Sequence, residues 1–184
     1  MTMDSSAGPL ALVVIAGPQA SGKSTLAAAL ATDLRSRGER VALVELDQIA
    51  GMALPTLPSW EDAHQIFETV TSLWLRTDVT CVIAEGSGSW DEVARILKRV
   101  PATPVTVTVA TTAPFEAALA RAQADPTRGI SKERDFLTGV YEQWSREVDG
   151  TLWDLLIDTG DTDIDHGVAR IEAALASARG ASAL

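Results

Sequence analysis

The chain has 184 residues, of which 46% are hydrophobic, and this length suits one domain with a substantial core, covering residues 1–184. It carries 25 acidic and 15 basic residues, a formal charge of −10, and such a negative field disfavours nucleic acids and anionic membranes as partners. No apolar run approaches the ~20 residues that cross a bilayer. The first nine residues lack a basic segment and include Asp4, so no secretion signal is expected, and the single cysteine, Cys81, is expected in the core. We therefore expect a cytoplasmic protein.

The first predicted strand, residues 10–16, leads into a glycine-rich loop, and a helical stretch, residues 26–34, follows the loop. The loop, residues 17–24, reads GPQASGKS and fits the pattern GxxxxGKS of phosphate-binding loops, which lie between a strand and a helix. Backbone N–H groups and the helix dipole favour an anion at such a helix start. We predict a bound nucleoside triphosphate, with Lys23 on its β- and γ-phosphates and the Ser24 hydroxyl on Mg²⁺. The other predicted nucleotide contacts in the loop are Gly17, Ala20, Ser21, Gly22 and Thr25.

Further apolar segments alternate with helical stretches along the rest of the chain. Each is a short continuous run, as in parallel strands that are covered on both faces. Gly38 is predicted to cap the end of the first helix, and three Ser/Thr-x-x-acid patterns predict the starts of later helices. The strands are predicted at residues 40–46, 80–84, 105–109 and 155–158, and the capping patterns at Ser59/Asp62, Ser89/Glu92 and Thr162/Asp165. This alternation predicts an α/β fold with a mainly parallel, doubly wound sheet, in which ligands bind beyond the carboxyl ends of the strands.

Apolar side chains at helical spacing predict the buried faces of three helices. Trp144 also fits a buried stripe. Trp60 and Trp90 begin helices just after strand ends, so each is also a candidate for the wall of a substrate pocket. The two histidines, His64 and His166, are isolated in the sequence, which argues against a structural zinc site. The three stripes are Trp60, Ala63, Phe67, Val70 and Trp74; Trp90, Val93, Leu97 and Val100; and Ile164, Val168, Ile171 and Leu175.

Acidic side chains stand where two of the predicted strands end. Glu45 and Asp47 end the second strand, and Glu85 follows the third. Because they are two residues apart, Glu45 and Asp47 are predicted to share one face of the strand. Both strand ends are expected to open beside the phosphate loop. One acid is expected to help hold Mg²⁺, and another to accept a proton from a substrate hydroxyl. The residues alone leave open which acid takes which role.

A basic group lies in the second half of this acidic chain. Residues 125–129 read as a turn between two helices, so the group is predicted to form a helical hairpin with a basic tip. Guanidinium groups that close on a phosphoryl group stabilise its charge and exclude water, and we predict such a lid over residues 121–135. A solvated helix face is the alternative interpretation. The basic side chains are Arg121, Arg128, Lys132 and Arg134.

With this loop, Asp47, Glu85 and the arginine hairpin, the sequence resembles a small P-loop kinase of the nucleoside-monophosphate-kinase-like group. That group includes chloramphenicol phosphotransferase-like, shikimate and gluconate kinases, and the similarity extends from residue 10 to about residue 178. It implies a three-layer α/β/α P-loop NTPase fold, with five parallel strands in the order 2-3-1-4-5 and a helical lid. It also implies ATP and Mg²⁺ as cofactors, and a monomer or homodimer.

The resemblance also implies roles for individual residues. Asp47 corresponds to the carboxylate that activates the acceptor hydroxyl, Arg121 to an arginine near the adenine, and Arg128 to a lid arginine that contacts the phosphates. Thr159 belongs to the late loop near the adenine. Glu85 replaces the commoner aspartate and is assigned to Mg²⁺. The implied activity is ATP-dependent transfer of the γ-phosphoryl group to a hydroxyl of a small metabolite or antibiotic.

Two other activities are compatible with the same motifs. A nucleotide or polynucleotide kinase would need a basic acceptor groove, whereas the region around the second helix offers only Arg76. A nucleotide-dependent protein that sequesters a ligand without turnover would not need a positioned base. The role of Asp47 therefore distinguishes a kinase from a sequestering protein.

Overall fold

The computed structural model describes residues 8–86, 88–150 and 153–182, so most of the segment considered for a secretion signal lies outside the described residues. Strands and helices alternate through these ranges, and a single 3₁₀ turn, Ile130–Lys132, precedes the sixth α-helix. The elements are β1 (Ala11–Ala16), α1 (Lys23–Ser36), β2 (Val41–Glu45), α2 (Leu46–Gly51), α3 (Trp60–Trp74), β3 (Cys81–Glu85), α4 (Trp90–Arg99), β4 (Val105–Thr112), α5 (Phe115–Ala124), α6 (Arg134–Asp149), β5 (Leu155–Asp158) and α7 (Ile164–Ala181).

The five strands form one parallel sheet in the order β2-β3-β1-β4-β5, which confirms the predicted α/β fold and strand order. Ile15 pairs with Glu85 on one side and with Val109 on the other, and Glu45 pairs with Glu85. The carboxyl ends of β1, β2 and β3 therefore meet at the same edge of the sheet. The phosphate loop leaves the sheet at this edge.

The central strand β1 is buried along its whole length, and its side chains alternate between two cores. Val13 and Ile15 pack with residues of α1 and α7 on one face. Leu12 and Val14 pack with residues of α3, α4 and α6 on the other face. Cys81 is fully buried in the first core, as predicted, and burial raises the pKa of its thiol to about 12.

One strand is longer than the sequence predicted, one is displaced and two are shorter. β4 extends to Thr112 because residues 111 and 112 pair with β5, and β3 is displaced by one residue, so that Glu85 is its last residue. β1 begins one residue later than predicted, at Ala11. β2 ends at Glu45, and the chain then enters α2. The prediction that Glu45 and Asp47 share a strand face was therefore wrong, because Asp47 lies in the first turn of a helix.

Most of the predicted helix ends are correct. Gly38, with φ +86°, follows α1, and the N–H groups of residues 38 and 39 return to the carbonyls of residues 35 and 34. Ser59 and Ser89 each accept the backbone N–H three residues later, as predicted. The pattern that begins at Thr162 was assigned one residue too early. Asp163 caps α7 because its carboxylate accepts the backbone N–H of residue 166 at 2.8 Å.

Most residues of the predicted helix stripes are buried or partly buried, and three are exposed. Trp144 is buried as predicted, with 2% of its surface exposed. Trp60, Trp74 and Ile164, by contrast, are 52%, 44% and 46% exposed, so their predicted burial was wrong. Each is the first or last residue of its helix, where the sheet no longer covers it. Within the described part of the chain, none of the helices has the length and apolar character that a membrane span requires.

Candidate active site

The phosphate loop is fastened to the ends of two strands. Gly22 adopts the left-handed conformation, φ +89°, and caps the N-terminus of α1. A side chain at Gly17 would collide with Thr111, whose hydroxyl lies 2.7 Å from the hydroxyl of Ser21. The Thr159 hydroxyl, after β5, donates to the Ser21 carbonyl at 2.8 Å. The two contacts join Ser21 of the loop to the end of β4 and to the residue after β5.

Lys23 is the first residue of α1 and lies almost buried beside two oxygen atoms. Its Nζ donates to the Pro18 carbonyl at 3.1 Å and lies 3.8 Å from Oε1 of Glu85. Burial lowers the pKa of Lys23, while the carboxylates of Glu85 and Asp47 oppose that shift. The ammonium group is therefore poorly solvated, and a bound phosphate would supply the charge partner that water does not.

Glu85 lies at the end of β3, with its side chain 3% exposed. Burial raises the pKa of Glu85 to about 7, against the opposing charge of Lys23, and the carboxylate accepts a hydrogen bond from Ser24. The predicted metal-binding pair, Ser24 and Glu85, is thus in direct contact. The described residues contain no group of three or more His, Cys, Asp or Glu side chains placed to hold a metal ion. Water molecules and oxygen atoms of a nucleotide would complete any Mg²⁺ shell here.

One cavity, of about 680 Å³, lies on the α7 side of the phosphate loop; we call it the nucleotide cavity. Leu26 and Ile157 form its apolar floor, and Asp163 to Asp165 stand at the start of α7. The cavity therefore offers an apolar surface next to the loop backbone, as a nucleotide base requires. Six of the predicted nucleotide or lid residues line it: Ala20, Gly22, Thr25, Arg121, Arg128 and Thr159.

The predicted lid arginines fall into two groups. Arg121 donates to the hydroxyl and the carbonyl of Thr159 at 2.8 and 3.0 Å, and Arg128 pairs with Asp125 at 3.2 Å, both at the nucleotide cavity. Arg134 instead pairs with Glu116 at 2.7 Å on the surface and does not line the cavity. The structure therefore brings Arg121 and Arg128 to the loop and leaves Arg134 in a structural ion pair.

A second cavity, of about 320 Å³, lies on the opposite side of the loop; we call it the acceptor cavity. Gly17, Lys23, Asp47 and Glu85 line it, so the first turn of α2 and the end of β3 both face the loop lysine. Glu45 is not among the lining residues. Its carboxylate accepts a hydrogen bond from Gln48 at 2.6 Å.

The acceptor cavity also contains residues that the sequence did not single out as functional. His64 on α3 and Glu92 on α4 form a pair, with Nε2 3.2 Å from Oε1, and both line the cavity. The capping pattern had marked Glu92 only as a helix start. Trp60 lines this cavity, as one of its two interpretations predicted, whereas Trp90 packs edge-on against Trp153 and is not part of the lining.

The fold is shared with solved structures of small kinases. The APS kinase of Mycobacterium tuberculosis, crystallised with AMPPNP and APS, has a TM-score of 0.62 at 17% identity, over 92% of this chain and 99% of that one. Shikimate kinase from Bacteroides thetaiotaomicron has a TM-score of 0.62 at 14% identity, over 90% and 98% of the two chains. A gluconokinase from Sinorhizobium meliloti has a TM-score of 0.60 at 16% identity, over 92% and 93%.

In sequence, no protein-family model and no curated protein matches the chain. The likeness therefore lies in the fold. The resemblance expected from the sequence is confirmed: this chain has the fold of the small-molecule P-loop kinases.

Proposed function

We propose that this protein is an ATP-dependent kinase that transfers the γ-phosphoryl group to a hydroxyl of a small molecule, a metabolite or an antibiotic. The observation that carries the proposal is the position of the phosphate loop between two cavities. The larger cavity offers arginines and an apolar floor for a nucleotide. The smaller one places Asp47 and Glu85 on the far side of Lys23, where an acceptor would meet the terminal phosphate.

The loop residues would bind the triphosphate and its metal. The N–H groups at the start of α1 have no intrahelical partners and would donate to an anion. Lys23 adds a positive charge that burial leaves poorly solvated. Ser24 and Glu85, which already contact each other, would hold Mg²⁺ together with phosphate oxygens. When bound, Mg²⁺ supplies positive charge that offsets the negative charge of the transferring group.

Asp47 would orient and deprotonate the acceptor. The acceptor oxygen forms a bond to the γ-phosphorus, the bond from that phosphorus to the β–γ bridging oxygen breaks, and its electron pair leaves with ADP. The hydroxyl proton passes to the carboxylate of Asp47. Because Asp47 is the acid on α2 that lines the acceptor cavity, whereas Glu45 bonds to Gln48 instead, we assign the base to Asp47.

The hairpin of residues 121–135 would act as the lid. Arg128 is held by Asp125 at the cavity wall, and a nucleotide phosphate would compete for the same guanidinium group. Arg121 is already anchored to Thr159 and thus to the loop. Closure would bring Arg128 onto the phosphates and exclude water from the transfer.

Calorimetric titration with Mg-ATP tests the nucleotide site, by comparing the parent protein with Lys23→Ala. The variant removes the charge that meets the β- and γ-phosphates, so affinity should fall by at least about tenfold while the circular dichroism spectrum stays unchanged. Lys98→Ala, an exposed lysine in the last turn of α4, is the matched control and should bind like the parent. Equal affinity in Lys23→Ala and the parent would overturn this site.

A further inference from the structure

The acceptor cavity contains more acidic than basic side chains. Its described lining includes three carboxylates, of Asp47, Glu85 and Glu92, and one ammonium group, of Lys23. The remaining titratable side chain is His64, which lies 3.2 Å from Glu92. Burial and the nearby Arg95 lower the pKa of His64 from its ordinary value of 6.5, so its imidazole adds little positive charge to the cavity at neutral pH. The carboxylates of Asp47 and Glu92 outnumber the ammonium group of Lys23, so the cavity carries a net negative charge even without Glu85, whose pKa burial raises to about 7.

The arginines nearest to this side of the protein are engaged elsewhere. Arg95, on α4, lies 2.7 Å from Glu68 and also pairs with both carboxylate oxygens of Glu61, at 2.7 and 3.0 Å. Arg99, one turn later, lies 2.8 Å from the second oxygen of Glu68. These pairs bind α4 to α3. Among the described residues that line the acceptor cavity there is no arginine to receive a carboxylate or phosphate.

Two tryptophans add apolar surface to the same cavity. Trp60 is half-exposed at the start of α3, where its ring can face a cation or a sugar ring. Trp144 is only 2% exposed and belongs to the apolar core behind the lining. The lining therefore offers carboxylates and the ring face of Trp60.

We infer that the acceptor is a cationic hydroxylated small molecule, an amino sugar or an amino alcohol; this inference rests on the proposed kinase activity. The ammonium group of the acceptor binds the carboxylate of Glu92, and one of its hydroxyls faces Asp47. The volume of about 320 Å³ is at the small end of the range for ligand sites and suits a single ring. The amine is unchanged in the reaction, and the product is a phosphate ester.

The charge balance of the site is the reason for this choice. Lys23 is the one lysine of the lining, and in the proposed complex it belongs to the nucleotide phosphates. An anionic acceptor would then approach the γ-phosphate and the carboxylates of Asp47 and Glu92 without a cation of its own. A protonated amine reverses the sign of these interactions, which act in a partly buried cavity where they are weakly screened.

The test is phosphoryl transfer from Mg-ATP to sets of acceptors that share a skeleton and differ in charge. Suitable sets are glucosamine, glucose and glucuronate, and 2-deoxystreptamine, myo-inositol and quinate. We expect the amine to be the best member of at least one set, with a kcat/KM at least about tenfold above its neutral and anionic counterparts. Thermal stabilisation in the presence of a non-hydrolysable ATP analogue should follow the same order.

Glu92→Gln tests the proposed contact. The cap of α4 is a hydrogen bond from the backbone N–H of residue 92 to the Ser89 hydroxyl, which glutamine leaves in place, so the variant should fold, and its melting temperature checks this. We expect KM for the amine to rise about tenfold, clearly more than KM for the neutral acceptor, and the loss to lie in KM rather than in kcat. Glu142→Gln, an exposed acid on α6 outside the cavity lining, is the matched control and should behave like the parent.

The other possible results overturn either the inference or the proposed function. Equal or better transfer to a neutral or anionic member overturns the inference, as does a preference for the amine that Glu92→Gln leaves intact. If the protein binds Mg-ATP but phosphorylates no amine and is not stabilised by any amine, the inference is overturned and the nucleotide site still stands. A protein that binds no Mg-ATP overturns the proposed function itself and the inference with it.

Discussion

In the proposed function, Asp47 is the residue whose role distinguishes a kinase from a protein that only binds its ligands. It lines the acceptor cavity with Glu85, on the far side of the phosphate loop from the nucleotide cavity. Asp47→Asn keeps the shape of the side chain and removes its charge and most of its basicity. General bases typically contribute ~10²–10⁴-fold, so we expect kcat to fall by that order while Mg-ATP affinity changes less than about threefold.

Steady-state kinetics with the best acceptor, together with calorimetry, measures both quantities for Asp47→Asn. Glu45→Gln is the matched control, because Glu45 lies two residues away and bonds to Gln48 outside the cavity lining. It should retain parent activity. A parent-like kcat in Asp47→Asn, or a large loss in Glu45→Gln instead, would show that the base is misassigned.

The sequence predicted which residues lie together where one motif or one strand end determines a position, and their roles stay predictions. Lys23, Ser24 and Glu85 lie together because the loop follows β1 and Glu85 ends the neighbouring strand. His64 and Glu92 lie on two different helices, α3 and α4, and only the packing of those helices brings them together. Nothing local in the sequence marks that contact, so the acceptor side of the site was not predictable in the same way.

At the scale of elements, the hairpin from α5 to α6 is the part expected to move. Asp125 accepts from the backbone and hydroxyl of Thr127 and pairs with Arg128, so the tip is held by its own side chains. We expect hydrogen exchange of residues 125–133 to slow when a non-hydrolysable ATP analogue binds, because Arg128 then joins the hairpin to the phosphates. Exchange in β1, buried in the core, is the internal reference and should not change.

Mass spectrometry of peptides that cover the hairpin, with and without the analogue, measures this protection. Arg128→Ala separates a lid from a general tightening of the protein. In that variant the phosphate loop should still be protected by the analogue, and the hairpin should not. Identical exchange of the hairpin with and without nucleotide in the parent protein would contradict a lid.

The ends of the helices show which sequence patterns were sufficient to predict where an element begins and which side of it is buried. The caps at Ser59 and Ser89 were found because a Ser-x-x-acid pattern has a local mechanism. Near residue 162 the sequence predicted a cap at Thr162, and the structure instead has Asp163, whose carboxylate accepts the backbone N–H of residue 166. The exposure of Trp74 was missed for another reason. Helical periodicity gives the buried face but not how far the supporting sheet extends.

At the scale of the whole molecule, one nearly buried ion pair joins the segment before β2 to the last helix, α7. Glu39, just before β2, accepts from both terminal nitrogens of Arg179 on α7 at 2.8 Å and from the Thr80 hydroxyl at 3.0 Å. The two charged side chains are 15% and 13% exposed. We expect Glu39→Gln to lower the free energy of unfolding at pH 7 by about 1–3 kcal/mol.

The same pair gives the stability a defined pH dependence. The hydrogen bond from Arg179 holds the pKa of Glu39 below its ordinary value of 4.5. The contribution of Glu39 is therefore present above about pH 4.5 and is lost as the pH falls through the lower, folded-state pKa. Urea unfolding at several pH values should show the difference between parent and Glu39→Gln shrinking toward pH 3.

Glu116→Gln is the control for this ion pair, because Glu116 makes the same two-nitrogen contact with Arg134 but both side chains are more than half exposed. Its effect should stay within about 0.5 kcal/mol. Equal losses in the two variants, or a loss in Glu39→Gln that is the same at pH 3 and pH 7, would rule out this explanation.

The most direct test of kinase function follows the γ-phosphate itself. Purified protein is incubated with Mg²⁺, ATP labelled in the γ-phosphate and the panel of hydroxylated acceptors, and the labelled products are identified by mass spectrometry. We expect label in a phosphate ester of at least one acceptor, with the transfer lost in Lys23→Ala and retained in Lys98→Ala. Label that remains in ATP, or passes only to inorganic phosphate with every acceptor, would contradict the proposal that this protein is a small-molecule kinase.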